Sequence, residues 1–260
     1  MQIITSKSND QVKNIKKLYQ KKYRDENQEF IIEGIKILKE AIQENAIIKT
    51  VYIEESKFEE ITKEIPSINN LNIVLVSSQV LQEISDVKTP QGVIAIVGKQ
   101  ANYNISYDEE VSLILDDIQD PGNIGTIIRT ADSLNMKQII VSENTADIFS
   151  PKVVRSTMGA IFRVNVKYVN SLAETISDMK NHGKNVYVTD LNTDSSIYNV
   201  DYKNSVIVIG NEANGVSKEV KESATKKIKI PMLGKTESLN AAVATSVILY
   251  EAYRTLGKIK

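Results

Sequence analysis

Six short runs rich in Val, Ile and Leu pass through the second half of this 260-residue chain, and they constrain its fold more than any other feature. They cover Val111–Leu115, Gln138–Val141, Phe162–Val166, Asn185–Val188, Val206–Ile209 and Lys227–Ile230. Runs of this kind, spaced by longer mixed segments, suit a parallel sheet covered on both faces. Three of them lead into polar or glycine-bearing turns. Leu113–Asp117 is followed by Asp120-Pro-Gly-Asn-Ile-Gly, Val206–Ile209 by Gly210-Asn-Glu-Ala-Asn-Gly, and Ile228–Pro231 by Ser238-Leu-Asn-Ala-Ala. Open α/β sheets bind ligands at such strand-end turns, so three turns from one sheet can build one site.

The first part of the chain alternates differently. A polar helix is expected near Asn9–Arg24, then a strand at Phe30–Ile32, a helix from Gly34 to Glu44 and a strand at Thr50–Ile53. A short charged helix, a strand at Asn72–Val76, a helix after Ser77 and a strand over Gly92–Val97 complete a small α/β layer structure. The polar, unpatterned stretch that follows reads as a linker. These features divide the chain into a first domain at 1–99, a linker at 100–108 and a second domain at 109–260. In the second domain Asp120 followed by Pro121 predicts a helix start, with an acidic cap and a proline at the first helical position. A last helix is expected from near Ser238 to about Leu256, crowded in its first half with Ala241, Ala242, Ala244, Thr245 and Ser246.

Composition removes several chemistries. The chain has no cysteine and one histidine, His182, placed where Gly183 would close a helix. Disulfides, thiolate metal sites, cysteine nucleophiles and histidine clusters are therefore not expected, and no metal is. The N-terminus does not read as a signal peptide, and no apolar run approaches the roughly 18 residues of a membrane span. The expectation is a soluble cytoplasmic protein with no membrane partner. A net charge of −1 gives no global sign of nucleic acid, so such a partner must be read from local patches.

Each turn taken alone also fits a plain connection. Arg129 after two isoleucines could be a surface residue, the Gly210–Gly215 turn a tight strand-to-helix link, and Ser238 an ordinary helix cap. The glycine-rich fingerprint of a dinucleotide site is missing, because Gly122-Asn-Ile-Gly125 lacks its third glycine and following acid. A Rossmann-type nucleotide enzyme is thereby disfavoured.

The combination, in this order, resembles the SpoU/TrmH family of RNA ribose 2′-O-methyltransferases in the SPOUT superfamily. Asp120–Ala131 matches its first motif, Ile209–Val216 its second, and Ile230-Pro-Met with Ser238–Ala244 its third. Pro151–Ala160 matches an intermediate segment, and the first domain is similar to the family's RNA-substrate domain, which resembles a ribosomal RNA-binding protein. The resemblance implies an α/β fold with a deep trefoil knot, an exception to the rule that chains are unknotted. It further implies S-adenosylmethionine (AdoMet) as cofactor and a homodimer formed through the C-terminal domain. Carried over by motif, the cofactor positions are Gly210, Ile230 and Leu239, with Thr189, Asp190 and Leu191 in a further contacting segment and Asn211 and Met232 adjoining.

The implied catalytic set is Arg129, Asn123, Glu212, Ser238 and Asn240. The family assigns the matching arginine as general base, which is physically awkward because guanidinium is almost always protonated. Either Arg129 is exceptionally perturbed, or it holds a phosphate and stabilises the alkoxide while water takes the proton. Asn123, Glu212, Ser238 and Asn240 would orient ribose, arginine or cofactor. Asn135 stands where the family commonly has glycine, and asparagine also tolerates the left-handed conformation.

RNA contact is expected from Lys7–Arg24, which holds seven basic residues against the single acid Asp10, with Tyr19 and Tyr23 interleaved. Lys13, Lys16, Lys17, Lys21 and, in the second domain, Arg155 are the candidates for RNA. Ribosomal RNA, most specifically 23S rRNA, is favoured by the resemblance. A tRNA 2′-O-methyltransferase and a non-catalytic RNA-binding or ribosome-assembly factor are the alternatives.

Overall fold

Residues 3–100 and 104–259 are described by the computed structural model, so 101–103 of the expected linker lie outside it. The chain divides into two compact units, Met1–Ala101 with Asp147–Phe162, and Asn102–Ala146 with Arg163–Lys260.

In the first unit the chain runs through β1 (Ile3–Ile4), α1 (Asp10–Lys17), α2 (Lys21–Asn27), β2 (Glu29–Glu33), α3 (Ile35–Gln43) and β3 (Ile48–Glu54). It continues through α4 (Phe58–Glu64), β4 (Ile73–Val76), α5 (Ser78–Ile84) and β5 (Val93–Gly98). The sheet order is β1-β4-β3-β5-β2. β1, β4 and β3 run parallel, while β5 is antiparallel to both β3 and β2.

The expected helix over Asn9–Arg24 is two helices. Gln20 takes an extended conformation before α2, and the break lets Leu18 bury and the Tyr19 hydroxyl donate to the Ile84 carbonyl at 2.6 Å. Arg24, expected among the exposed basic residues, is buried. Its guanidinium donates twice to Asp147 Oδ2 and once to the Leu18 carbonyl. The segment 147–162, with α7 (Pro151–Thr157), packs with this unit: Val154, Ile161 and Phe162 share one core with Phe30, Ile32, Leu38 and Val97. Arg155, expected in the second domain, therefore sits in the first unit, where it pairs with Asp86 at 2.9 Å.

The second unit is built on β6 (Val111–Asp116), α6 (Pro121–Ser133), β7 (Gln138–Ser142), β8 (Asn165–Val169), α8 (Leu172–Asn181) and β9 (Asn185–Thr189). It ends with β10 (Ser205–Gly210), α9 (Lys218–Ser223), β11 (Lys226–Ile228) and α10 (Ala241–Thr255). All six strands are parallel, in the order β11-β9-β10-β6-β7-β8. The mixed α/β class and the parallel sheet agree with the reading of the apolar runs. From β6 the chain moves outward to β7 and β8, then returns to the other side of β6, which makes the β6–β10 boundary the topological switch point. Among the described residues no helix is long and apolar enough to cross a membrane.

Two boundaries differ from expectation. The strand expected at Phe162–Val166 begins at Asn165, because Ala160–Phe162 forms a 3-10 turn that sends Phe162 into the first unit's core. α10 begins at Ala241 rather than near Ser238: Asn240 caps it, its Oδ1 accepting from the N–H groups of Ala242 and Val243. Asp120 caps α6 as expected, accepting the Asn123 N–H at 2.9 Å. Asn135 takes the left-handed conformation at φ 57°.

Candidate functional site

β6 and β10 lie side by side in register, with Asp116 opposite Gly210. The two following turns thus leave the sheet at one level, about 5 Å apart. Asn211 Nδ2 crosses the gap to the Asp117 carbonyl at 2.8 Å. The Glu212 carboxylate accepts the N–H groups of Gln119 and Asp120, each at 3.3 Å, and the Asn123 amide at 2.7 Å. Asn123 Oδ1 in turn accepts from Asn240 Nδ2 at 2.9 Å. A continuous hydrogen-bonded chain, Glu212–Asn123–Asn240, therefore ties together the ends of β6 and β10 and the start of α10. It also fixes which way each amide points.

Partial burial pushes the Glu212 carboxyl up, but its hydrogen bonds with Asn123 and the backbone outweigh this and hold it below the ordinary carboxylate value. Both Glu212 oxygens are thus occupied as hydrogen-bond acceptors. Asn123 is buried, while Arg129, further along α6, is exposed. The Arg129 guanidinium makes no ion pair or hydrogen bond among the described residues. Ser238 is exposed and likewise has no partner there.

The turn after β10 is tighter than its composition suggests. Asn211 and Gly215 exchange backbone hydrogen bonds at 3.1 and 2.9 Å, so these groups are satisfied within the turn and not offered to a ligand. A Cβ at Gly210 would lie 2.1 Å from the Val216 nitrogen, which is why only glycine fits there.

Residues 230–239 behave in the opposite way. None makes a hydrogen bond among the described residues, so their backbone N–H and C=O groups remain available. Ile230, Met232 and Leu239 are half-buried and Leu233 is fully exposed. Free donors and acceptors beside apolar side chains fit a cofactor that carries a nucleoside. Thr189 Oγ1 donates to the Val208 carbonyl at 3.2 Å, and Leu191 is 57% exposed. Asp190 is committed to structure: Lys227 and Lys221 reach its Oδ2 at 3.1 and 3.4 Å, and the Asn192 N–H meets its Oδ1.

Two participants escaped the sequence reading. Gln119 gives its N–H to Glu212 and its side chain to Asp117 Oδ1 and the Asn144 carbonyl. Asp116 accepts the Ser217 N–H at 2.7 Å, closing the far side of the Gly210 turn. The Asp116-Asp117 pair at a strand end was the available signal; Asp117 takes φ 61°, a conformation aspartate tolerates better than most residues.

In the first unit, four of the five RNA candidates meet carboxylates: Lys13 with Asp10, Lys16 with Glu83, Lys21 with Asp25 and Arg155 with Asp86. Lys17 has no carboxylate partner among the described residues.

Residues 110–250 match the SpoU rRNA Methylase family. The chain belongs to that family. Residues 9–95 match the MRM3-like substrate binding domain. Among curated relatives, the 23S rRNA (guanosine(2553)-2′-O)-methyltransferase of Bacillus subtilis is 32% identical over 96% of this chain and 98% of its own. The crystal structure of an AdoMet-bound rRNA methyltransferase from Sinorhizobium meliloti superposes with TM-score 0.85 at 34% identity, covering 98% of both chains. The SpoU methyltransferase AviRb from Streptomyces viridochromogenes, in complex with AdoMet, gives TM-score 0.87 at 26% identity over 97% of this chain and 100% of its own. As a SpoU-family protein the chain is an RNA 2′-O-methyltransferase with RNA as its substrate, and the family is AdoMet-dependent.

Proposed function

We propose that this chain methylates a ribose 2′-hydroxyl of 23S rRNA in the cytoplasm. The observation that carries the catalytic part is the Glu212–Asn123–Asn240 chain at the switch point of the sheet, with an exposed Arg129 on the same helix as Asn123. The preference for 23S rRNA over tRNA rests on a relative of that stated substrate that spans both units of the chain, and on the substrate-binding match at its N-terminus.

When bound, AdoMet supplies a methyl group on a sulfonium, an electrophile reactive enough that the enzyme need mainly align the hydroxyl and remove its proton. Gly210, Thr189, Leu191, Ile230, Met232 and Leu239 are the residues we assign to hold it, with Asp190 and Asn211 shaping the turns around it. Asn123, Glu212 and Asn240 act as positioning residues, and Ser238 is free to hydrogen-bond the ribose. An exposed guanidinium is a cation, so Arg129 takes the phosphate beside the target ribose and steadies the forming alkoxide while water accepts the proton.

We read Lys229, clasped to Ser195 and Ile197 by backbone hydrogen bonds at 2.9 and 3.0 Å, as part of the crossing that would form the knot. Exposed Val243 and Tyr250 on α10, with half-buried Val247 between them and exposed Tyr198 beside it, support a homodimer through the second domain. Val243→Glu with Tyr250→Glu should convert the protein to monomer in light scattering.

The decisive experiment maps ribose methylation across total RNA from cells with and without the gene. Loss of one 23S site is the expected result. A lost tRNA site would replace the rRNA reading, and an unchanged map together with no AdoMet binding by calorimetry would favour a non-catalytic RNA-binding factor.

A further inference from the structure

The tyrosines and lysines of the segment Lys7–Arg24 look equivalent in sequence, and the structure separates them. Tyr19 is tied down through its hydroxyl, and burial pushes its phenol well above the ordinary value. Tyr23 is half-buried, and its hydroxyl has no partner among the described residues. Lys7 and Lys16 both spend their charge on Glu83. Among the described residues the Lys17 ammonium donates only to Asn14 Oδ1, at 3.2 Å. Lys22 meets Glu26 at a long 3.8 Å with both side chains more than half exposed, a pairing that solvent screens strongly.

Within this segment the two least-committed ammonium groups flank the Tyr23 ring. Lys17 Nζ lies 5.9 Å and Lys22 Nζ 5.7 Å from the centroid of Tyr23. The break at Leu18–Gln20 makes this possible. On one continuous helix, residues six apart would point about 120° away from each other, whereas the extended Gln20 turns the chain and brings Tyr23 back beside Lys17.

We propose that Tyr23, Lys17 and Lys22 form a docking point for a single-stranded nucleotide of the substrate RNA. This rests on the reading of the chain as an RNA methyltransferase. The base stacks on the Tyr23 ring and the two ammonium groups take the flanking phosphates. The exchange is favourable, because stacking a base on an aromatic ring is stronger than an exposed cation–π contact. An entering base therefore displaces an ammonium, whose flexible stem swings it to phosphate. Paired bases in an A-form duplex keep their faces covered, so the ring selects unpaired nucleotides.

The test measures binding of the full-length protein to a fluorescent uridine oligoribonucleotide and to a blunt RNA duplex of equal length. Tyr23→Ala should weaken oligonucleotide binding roughly ten-fold, leave the salt slope unchanged and leave duplex binding unaffected, while Tyr23→Phe binds as wild type. Lys17→Ala with Lys22→Ala should make the salt dependence shallower by about 1.4, at about 0.7 per single-strand phosphate contact. Should Tyr23→Ala fail to melt as wild type by circular dichroism, the double lysine variant still decides through its slope. Unchanged oligonucleotide affinity in a folded Tyr23→Ala variant, an equal loss on the duplex, or an unchanged slope in the lysine variant overturns the docking point. The two readings fail separately: wild type that binds the oligonucleotide through Tyr23 but methylates no RNA sinks the enzymatic reading alone.

Discussion

At the scale of single residues, the candidate site separates side chains that are already hydrogen-bonded from one that is not. Arg129 is exposed and unpaired among the described residues, whereas Asn123 and Glu212 are bound to each other and Asn123 to Asn240. Arg129→Ala should reduce methyl transfer from labelled AdoMet by at least two orders of magnitude, as expected for loss of a preorganised charge, while calorimetric AdoMet affinity stays near wild type. Turnover close to wild type would remove Arg129 from the mechanism. Asn240→Asp keeps the oxygen that caps α10 but loses the N–H that reaches Asn123. Thermal stability should therefore hold while kcat falls; the reverse pattern would make Asn240 a cap only. Glu212 carries a pH signature. Its carboxyl is held below the ordinary value of 4.5, so its ionised form stabilises the fold at neutral pH and loses that effect as pH falls through the lowered value. The melting difference between wild type and Glu212→Gln should be widest near neutrality and shrink below about pH 4; a difference that grows on acidification would contradict this.

At the scale of elements, the turns carry the constraint. Gly210 sits where the chain doubles back so closely that an added methyl would meet the backbone of Gly215 and Val216 at 2.2 and 2.1 Å. Gly210→Ala should cost about 1–3 kcal/mol, seen as a lower urea midpoint, and abolish methyl transfer by moving Asn211 and Glu212. A variant of wild-type stability would mean that the turn can shift without loss. The α6–α10 pair shows the use of the small residues in the last helix. Ser246 is close enough for its hydroxyl to bond Thr130 at 2.9 Å, and Thr245 is wholly buried. Such contacts need a flat helix surface, and Ala241, Ala242 and Ala244 provide it.

At the scale of the whole molecule, the family segment over Pro151–Ala160 does not stay with the sheet that flanks it in sequence. Phe149 and Phe162 stand 4.8 and 6.4 Å from Phe30 by ring centroid, in the core of the first unit. Deleting residues 1–101 should therefore uncover Val154, Ile161 and Phe162, and the remaining chain should bind a hydrophobic dye and aggregate. A monodisperse, dye-negative fragment would show that the segment refolds elsewhere. By itself the sequence determined the parallel sheet, the caps at Asp120 and Gly183, and the family, because apolar runs, turn residues and motif order are local properties of the chain. It could not decide that Phe162 leaves the second unit, that Tyr19 is spent while Tyr23 is available, or that Asn240 rather than Ser238 begins the last helix. Nor could it show that Glu212, Asn123 and Asn240 form one chain of hydrogen bonds. Those outcomes depend on which groups meet across long stretches of sequence, and the strand register and the packing of each core set that.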